Sequence, residues 1–496
     1  MVRLVWVFVV LLGIVTSLSA AEPKPFDSLS IDLIISNALK VWSTPGVAIA
    51  IVRDGQPIVV KGYGLKQHDG KEAITPNTVF PLGSCTKAFT SALIAELVDA
   101  GKMTWDDPVR KHLPAFKLGD PNADAQVTLR DLLTHRTGVA SHDFLWYRAS
   151  WNLDETIRRT SLLPVSSSFR GSYEYSTLMY MVAGQAAAKQ MGQPWQELVR
   201  ERITKPLGMT NTSFTSAEMA KSSDRASGHQ RNADGSITAM PAYDLIEANP
   251  AGSMFTTAQD MVPWLQLQLA DGVFNGKRIV SKVNLAETKT PHTVMRKNDT
   301  IAPVYPDTHQ VSYAMGWVVY DHRGKLVVAH GGVLDGFRAQ VTLLPNEKIG
   351  IVLLNNLHQT KMNIALTNTL IDRMLNLPEK DWHAYFLQVE KTEREAKQST
   401  IDQRLKQRKP GTKPSVALDL YAAKYFDSIY GEARITYADG KLTWKWSSFS
   451  SPLEHFNDDV FRITEGFFKD QFIEFRIVNG LPTALRAIEV VFGRQP

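Results

Sequence analysis

The stretch Pro81-Leu82-Gly83-Ser84-Cys85-Thr86-Lys87-Ala88-Phe89-Thr90 constrains this chain more than any other. It opens a run through Ala92, Leu93, Ile94, Leu97 and Val98 with apolar residues at helical spacing. Ser84 then falls in a first turn, with Lys87 one turn later on the same face. A serine hydroxyl is a poor nucleophile until a base takes its proton, and a neutral amine one turn away can do so. The helix N-terminus adds free N–H groups and partial positive charge where negative charge develops during attack on a carbonyl. Acyl transfer through Ser84 is the first expectation. Cys85 points about 100° away from Ser84 on a helix, so Lys87 cannot serve both. It reads as a small buried apolar residue, and as the only cysteine it forms no internal disulfide.

The flanking sequence predicts how this helix is held. Ile31 to Trp42 reads as an amphipathic helix, and Val47 to Val52 and Pro57 to Gly62 as two strands of a hairpin joined at Asp54-Gly55. Val127 to Val139 reads as a helix with Thr128 near its cap, Gly138 past its end and His135 as a helix-end or core-edge histidine, not a catalytic one. Phe144, Trp146, Tyr147 and Trp151 form an aromatic cluster that suits either a substrate cleft or packing in a helical subdomain. Gly171 to Thr177 leads into a helix from Leu178 to Met191, so Tyr175 lies on a supported loop. Asn249 to Ser253 reads as a turn capping a helix from Ala258 to Leu269. Strands follow over Met315–Tyr320, Leu326–Ala329, Arg338–Leu344 and Ile349–Asn355, with His330-Gly331-Gly332 among them. One sheet assembled from both ends of a domain, with helices against it, accounts for this order.

Composition shifts at Lys380, where a charged segment to Lys409 reads as a solvated helix, broken by Pro410-Gly411. Short alternating runs follow: Ala433–Tyr437, Lys441–Trp446, Val460–Ile463, Phe472–Val478 and Leu485–Val491. They predict a small all-β domain without a catalytic constellation. At the other end, Arg3 precedes an apolar run from Leu4 to Val15 and small residues to Ala21, the pattern of a cleavable secretory signal. That run is too short to span a bilayer comfortably, which favours a cleaved signal over the alternative, an uncleaved anchor. The expected divisions are a signal peptide over 1–21, the domain carrying Ser84 over 22–376, a charged helical linker over 377–412 and a β-rich domain over 413–496. A net charge of +5 over 496 residues is no nucleic-acid footprint. No cluster has zinc-ligand spacing, and neither a metal nor another cofactor is expected.

Taken in order, Ser84-x-x-Lys87, Tyr175-Ser176-Thr177 and His330-Gly331-Gly332 resemble the S-x-x-K, Y-x-N and K-T-G or H-x-G motifs of class C β-lactamase-like serine hydrolases. That group includes D-alanyl-D-alanine carboxypeptidases, D-aminopeptidases, S12 peptidases and esterases. The flanks are similar too, at Val127–Val139, Pro206–Met209 and Pro250–Ser253, and the resemblance covers Ile31 to Leu375. The segment from Pro410 resembles the lipocalin-like β-barrel domain of some S12 peptidases. The resemblance implies an α/β (α+β) sandwich, an antiparallel sheet flanked by helices with a helical subdomain, then the small all-β domain. It implies Ser84 as nucleophile, Lys87 as its activating amine and Tyr175 as proton relay. His330 would touch the tyrosine hydroxyl and the substrate. The N–H groups of Ser84 and Val333 would form the oxyanion hole, with Thr177 and Gly332 beside the substrate.

Two departures bear on the substrate. Thr177 stands where relatives have asparagine; it keeps an acceptor for Lys87 but loses an amide donor, which favours an ester or an unusual peptide. His330 in place of lysine removes a permanent positive charge and weakens the case for an efficient β-lactamase. The expected partner is a small-molecule or peptide substrate, cell-wall-derived compounds included. The β-rich domain could shape access to the site or mediate a homo-oligomer. The expected function is an exported, secreted or periplasmic serine hydrolase acting on an amide or ester through an acyl-enzyme. The alternative is a catalytically weak penicillin-binding or ligand-sensing module that keeps the fold.

Overall fold

Residues 28–298 and 300–496 are described by a computed structural model. The signal segment read from the sequence lies outside them. Helix α1 (Ser28–Trp42) leads into the hairpin β1 (Gly46–Arg53) and β2 (Gln56–Gly64), turning at Asp54 and Gly55, both in the left-handed region. The sheet is completed by β3 (Thr293–Val294), β4 (Val311–Tyr313), β5 (Val318–His322), β6 (Lys325–Leu334), β7 (Phe337–Leu344) and β8 (Ile349–Asn355). Its order is β2-β1-β8-β7-β6-β5-β4-β3, antiparallel throughout. The first strand thus pairs with the last, Val47 opposite Asn355 and Arg53 opposite Ile349.

Strand β1 is apolar without alternation because both its faces are covered. Ala48, Ala50 and Val52 enter one core with helix α2 (Thr86–Asp99), α3 (Thr177–Met191) and α4 (Ala258–Leu269). Val47, Ile49 and Ile51 enter the other with α1 and α5 (Met362–Met374). The charged helix α6 (Trp382–Lys406) is not solvated along its whole length: Trp382 and Phe386 are buried in that second core.

Three local expectations are corrected. The helix after Thr128 spans only Leu129–Leu133. Asp131 closes a capping box with Thr128 and also binds Arg136 and Arg170, while His135 turns left-handed, at φ +54°. The Asn249–Ser253 turn does not cap α4; the Thr257 side chain does, accepting from Asp260 N–H. Leu485–Val491 is two strands, because Ile488 and Glu489 form a two-residue turn at φ +48° and +62°. No glycine or asparagine marks that turn.

Eight strands, β9 (Ala423–Asp427), β10 (Gly431–Ala438), β11 (Lys441–Trp446), β12 (Phe449–Asn457), β13 (Val460–Ile463), β14 (Phe472–Val478), β15 (Leu481–Ala487) and β16 (Val490–Arg494), close into an antiparallel barrel. Closure leaves no edge to be blunted. The barrel docks on the segment that carries the aromatic cluster. Phe144 packs on Phe468 and Trp446 with ring centroids 5.1 and 6.1 Å away. The Ser447 and Ser448 hydroxyls donate to Arg148 O at 3.0 and 2.7 Å, and Arg159 donates to Ile429 O at 2.6 Å. The aromatic cluster serves in the first place as a joint between the two units.

Candidate active site

A single 3₁₀ turn, Gly83–Cys85, precedes α2 and carries Ser84. Helix α2 is buried around nearly its whole circumference, so Lys87 is driven into the interior and is fully buried. Its Nζ lies 3.1 Å from Ser84 Oγ and donates to Ala251 O at 3.0 Å. The Tyr175 and Tyr180 rings lie 5.0 and 5.5 Å from the same nitrogen. Burial pulls the Lys87 amine down to about 7, against an opposing pull from Asp143. Near neutrality a substantial fraction of it is unprotonated.

Tyr175 stands on the loop before α3 and donates its hydroxyl to Ser84 Oγ at 3.0 Å. Burial pushes this phenol above its ordinary range, so it keeps its proton. Its loop is fixed by His135, whose Nδ1 accepts the Ser176 N–H at 3.1 Å and whose ring sits 4.4 Å from that of Tyr175. Burial, with Lys87 nearby, holds His135 neutral. From its buried place just past the end of the Leu129–Leu133 helix it supports the tyrosine loop.

Strand β6 runs on through the glycines to Leu334. Its pairing with β5 stops at Ala329, whereas β7 accompanies it to Leu334, so His330–Leu334 presents a free edge. This edge lies against the serine turn. Gly83 has φ +54°, and a Cβ there would be 2.6 Å from Val333 N; one on Gly332 would be 2.0 Å from Leu82 O. Only glycine permits that approach.

Ser84, Lys87 and Tyr175 are therefore brought together as expected, and the backbone of Gly332 and Val333 lies beside them. Two expectations are corrected. His330 does not bond Tyr175. Its Nδ1–H donates to Gly331 O at 2.7 Å, which leaves Nε2 to accept from the Tyr313 hydroxyl at 3.0 Å. Burial and Lys87 push its imidazole down to about 3. Thr177 does not bond Lys87 either; it is buried in the first turn of α3, and Ala251 O takes the place expected for it.

Cys85 is buried as expected, its Sγ 3.0 Å from His330 O, and burial pushes its thiol up to about 12. Ala251, Tyr313 and His135 were not legible as site residues. Ala251 acts through its backbone, and the other two act through contacts distant in sequence. Among the described residues no cluster of three His, Cys, Asp or Glu side chains is placed to hold a metal, and no helix is long and apolar enough to cross a membrane.

A nucleophilic serine held between a buried amine and a buried phenol, on a helix packed on an antiparallel sheet, defines a serine hydrolase. The beta-lactamase family profile matches residues 32–373, and the chain belongs to that family. It is 28% identical over 470 residues to the unguisins hydrolase ungD of Aspergillus violaceofuscus, covering 87% of this chain and 82% of that protein. Among solved structures, an octameric penicillin-binding protein homologue from Pyrococcus abyssi superposes with TM-score 0.63 at 21% identity, covering 92% of this chain and 97% of that one. The D-amino acid amidase of Ochrobactrum anthropi SV3 superposes with TM-score 0.59 at 22% identity, covering 70% and 100%. Those two likenesses are of fold.

Proposed function

We propose that the chain is an exported hydrolase that cleaves an amide or ester through an acyl-enzyme on Ser84. The observation that carries this is the double contact on Ser84 Oγ, from Lys87 and from Tyr175. A neutral amine that gives one N–H to Ala251 O can turn its lone pair to the serine proton, so Lys87 is the base. As Oγ attacks the carbonyl carbon, its proton passes to Lys87. Charge developing on the carbonyl oxygen is met by the N–H groups of Ser84 and Val333. Tyr175, which keeps its proton, donates it to the leaving amine or alkoxide and is reprotonated from Lys87. Water then attacks the ester carbonyl by the same route in reverse.

Neutral His330 holds Tyr313 and the strand edge and supplies no positive charge, which argues against an anionic group bound at that point. The name of one fold neighbour, a D-amino acid amidase, favours an amide. Thr177 favours the competing reading, a module that is acylated and does not turn over. The test is intact-mass analysis after a fluorophosphonate, with ester, D-amino-acid amide and β-lactam turnover measured alongside. An adduct lost in Ser84→Ala, with turnover, is expected. No adduct on the wild type sinks the reading, and an adduct without turnover on any substrate selects the module.

Export, to the periplasm or medium, rests on the segment Arg3 to Ala21. N-terminal sequencing of the exported protein should show cleavage after Ala20 or Ala21. A homo-oligomer is proposed from the octameric neighbour, and light scattering tests it.

A further inference from the structure

We infer that a cavity on the face of the sheet away from Ser84 is a binding site for a small carboxylate on an apolar or aromatic stem, held by Arg338. The inference goes beyond the hydrolase reading and does not depend on it. The cavity has a volume of about 240 Å³ and lies at the free edge of β6, with Gly331 in its wall. Along β7, Ala339 and Val341 enter the core that holds α2. Arg338 and Gln340 alternate with them and so face the opposite side, where α5 packs.

Arg338 is a buried cation that its surroundings do not satisfy. Its Nε is buried with no hydrogen-bond partner, and burial pulls the guanidinium below its ordinary range. Glu390 and Glu393 of α6 oppose that shift, yet both are engaged by Lys361. Glu390 accepts the Lys361 N–H at 3.3 Å, and Glu393 pairs with its Nζ at 2.9 Å. A buried charge without a partner is costly, and an anion in the cavity would supply one. The N-terminus of α5 favours the same charge: Thr360 and Lys361 line the cavity, the first turn holds no acidic residue, and no side chain caps it. Asn363 fixes the arginine backbone, its Nδ2 donating to Arg338 O at 3.3 Å.

The remaining walls select the anion. A carboxylate matches the edge of a guanidinium, because its two oxygens accept from Nε–H and one Nη–H side by side. Val304, Ala329 and Ile364 are apolar, and the rings of Tyr305 and Tyr320 pack edge to face with centroids 4.7 Å apart. They suit a hydrocarbon stem better than a phosphate, which has none to offer them. Gly331 leaves the space open: a Cβ there would stand 3.3 Å from Gln340 Oε1 at the same wall.

The test is calorimetric titration of the whole protein with sodium phenylacetate near neutral pH and at constant ionic strength, with inorganic phosphate in parallel. The wild type should bind phenylacetate saturably, one per chain, and phosphate more weakly. Arg338→Met removes the cation, and Ile364→Trp fills the cavity while keeping it. Each should weaken phenylacetate by about tenfold or more, the scale of one hydrogen bond to a charged group. Phenylacetate should also raise the unfolding midpoint of the wild type and leave that of Arg338→Met in place. No saturable binding to the wild type, a preference for phosphate, or binding that survives in either folded variant overturns the site. Binding is read without turnover, so this outcome is separate from that of the hydrolase reading.

Discussion

Lys87 Nζ donates to the carbonyl oxygen of Ala251 at 3.0 Å, and that contact gives the amine a direction. With one N–H committed to a rigid turn, the remaining valences of nitrogen face Ser84 Oγ, 3.1 Å away. Burial removes the charge and the backbone carbonyl sets the orientation. Together they make a base from a residue that in water is an acid.

The first prediction concerns pH. Lys87 ionises at about 7, and the unprotonated form is the active one. Acylation should therefore rise with pH, reach half its limit near 7, and fall about tenfold per pH unit well below it. The rate of fluorophosphonate labelling between pH 5 and 9 checks this. Lys87→Ala should lose at least ~10²-fold and the pH dependence with it.

Tyr175→Phe separates two kinds of leaving group. The variant keeps the ring beside Lys87 and His135 but has no hydroxyl on Ser84. An amine must be protonated to depart, whereas 4-nitrophenolate leaves as an anion. Amide hydrolysis should fall by ~10²–10⁴-fold and 4-nitrophenyl ester hydrolysis far less. Equal losses on both substrates would reject Tyr175 as the proton donor.

Gly332→Ala tests the approach of strand and nucleophile. Its methyl would lie 2.0 Å from Leu82 O, so the strand must move from the serine turn. A displacement near 1 Å should cost about 10²-fold in kcat/KM. Far-UV circular dichroism should be unchanged.

Phe144→Ala should loosen the joint between the two units. The ring packs on Phe468 and Trp446, and its loss should cost about 2 kcal/mol. Urea denaturation should then show a lower midpoint, with the barrel released first. An unchanged unfolding curve would show that the joint is held elsewhere.

Much of the fold was legible where one residue pattern serves one local end. The hairpin at Asp54-Gly55, the strand Ile349–Asn355 and the helix from Ala258 to Leu269 appear where their periodicity and turn residues place them. Ser84, Lys87 and Tyr175 were legible because each carries a chemical group at a recognisable junction. The Ile488-Glu489 turn was not, since its residues carry no local preference for a left-handed backbone. Asp131 bonds Arg170 from 39 positions away as well as Arg136 nearby, a pairing that local periodicity does not carry. The partner of His330 is Tyr313, from another strand, and the partner of Lys87 is a carbonyl that any residue could supply.

The pairing of β1 with β8 also sets when the enzyme can come into being. Gly46 N–H donates to the Asn356 side chain at 2.8 Å across 310 positions of sequence. Closing so long a loop is entropically expensive and comes late, after the local helices and hairpin have formed. Ser84 and Lys87 can meet early, on one turn of one helix. The strand edge at His330–Leu334 joins them only when the distal strands arrive. During synthesis the nascent chain therefore carries its nucleophile without a working site, and hydrolytic competence switches on with the closing of the sheet.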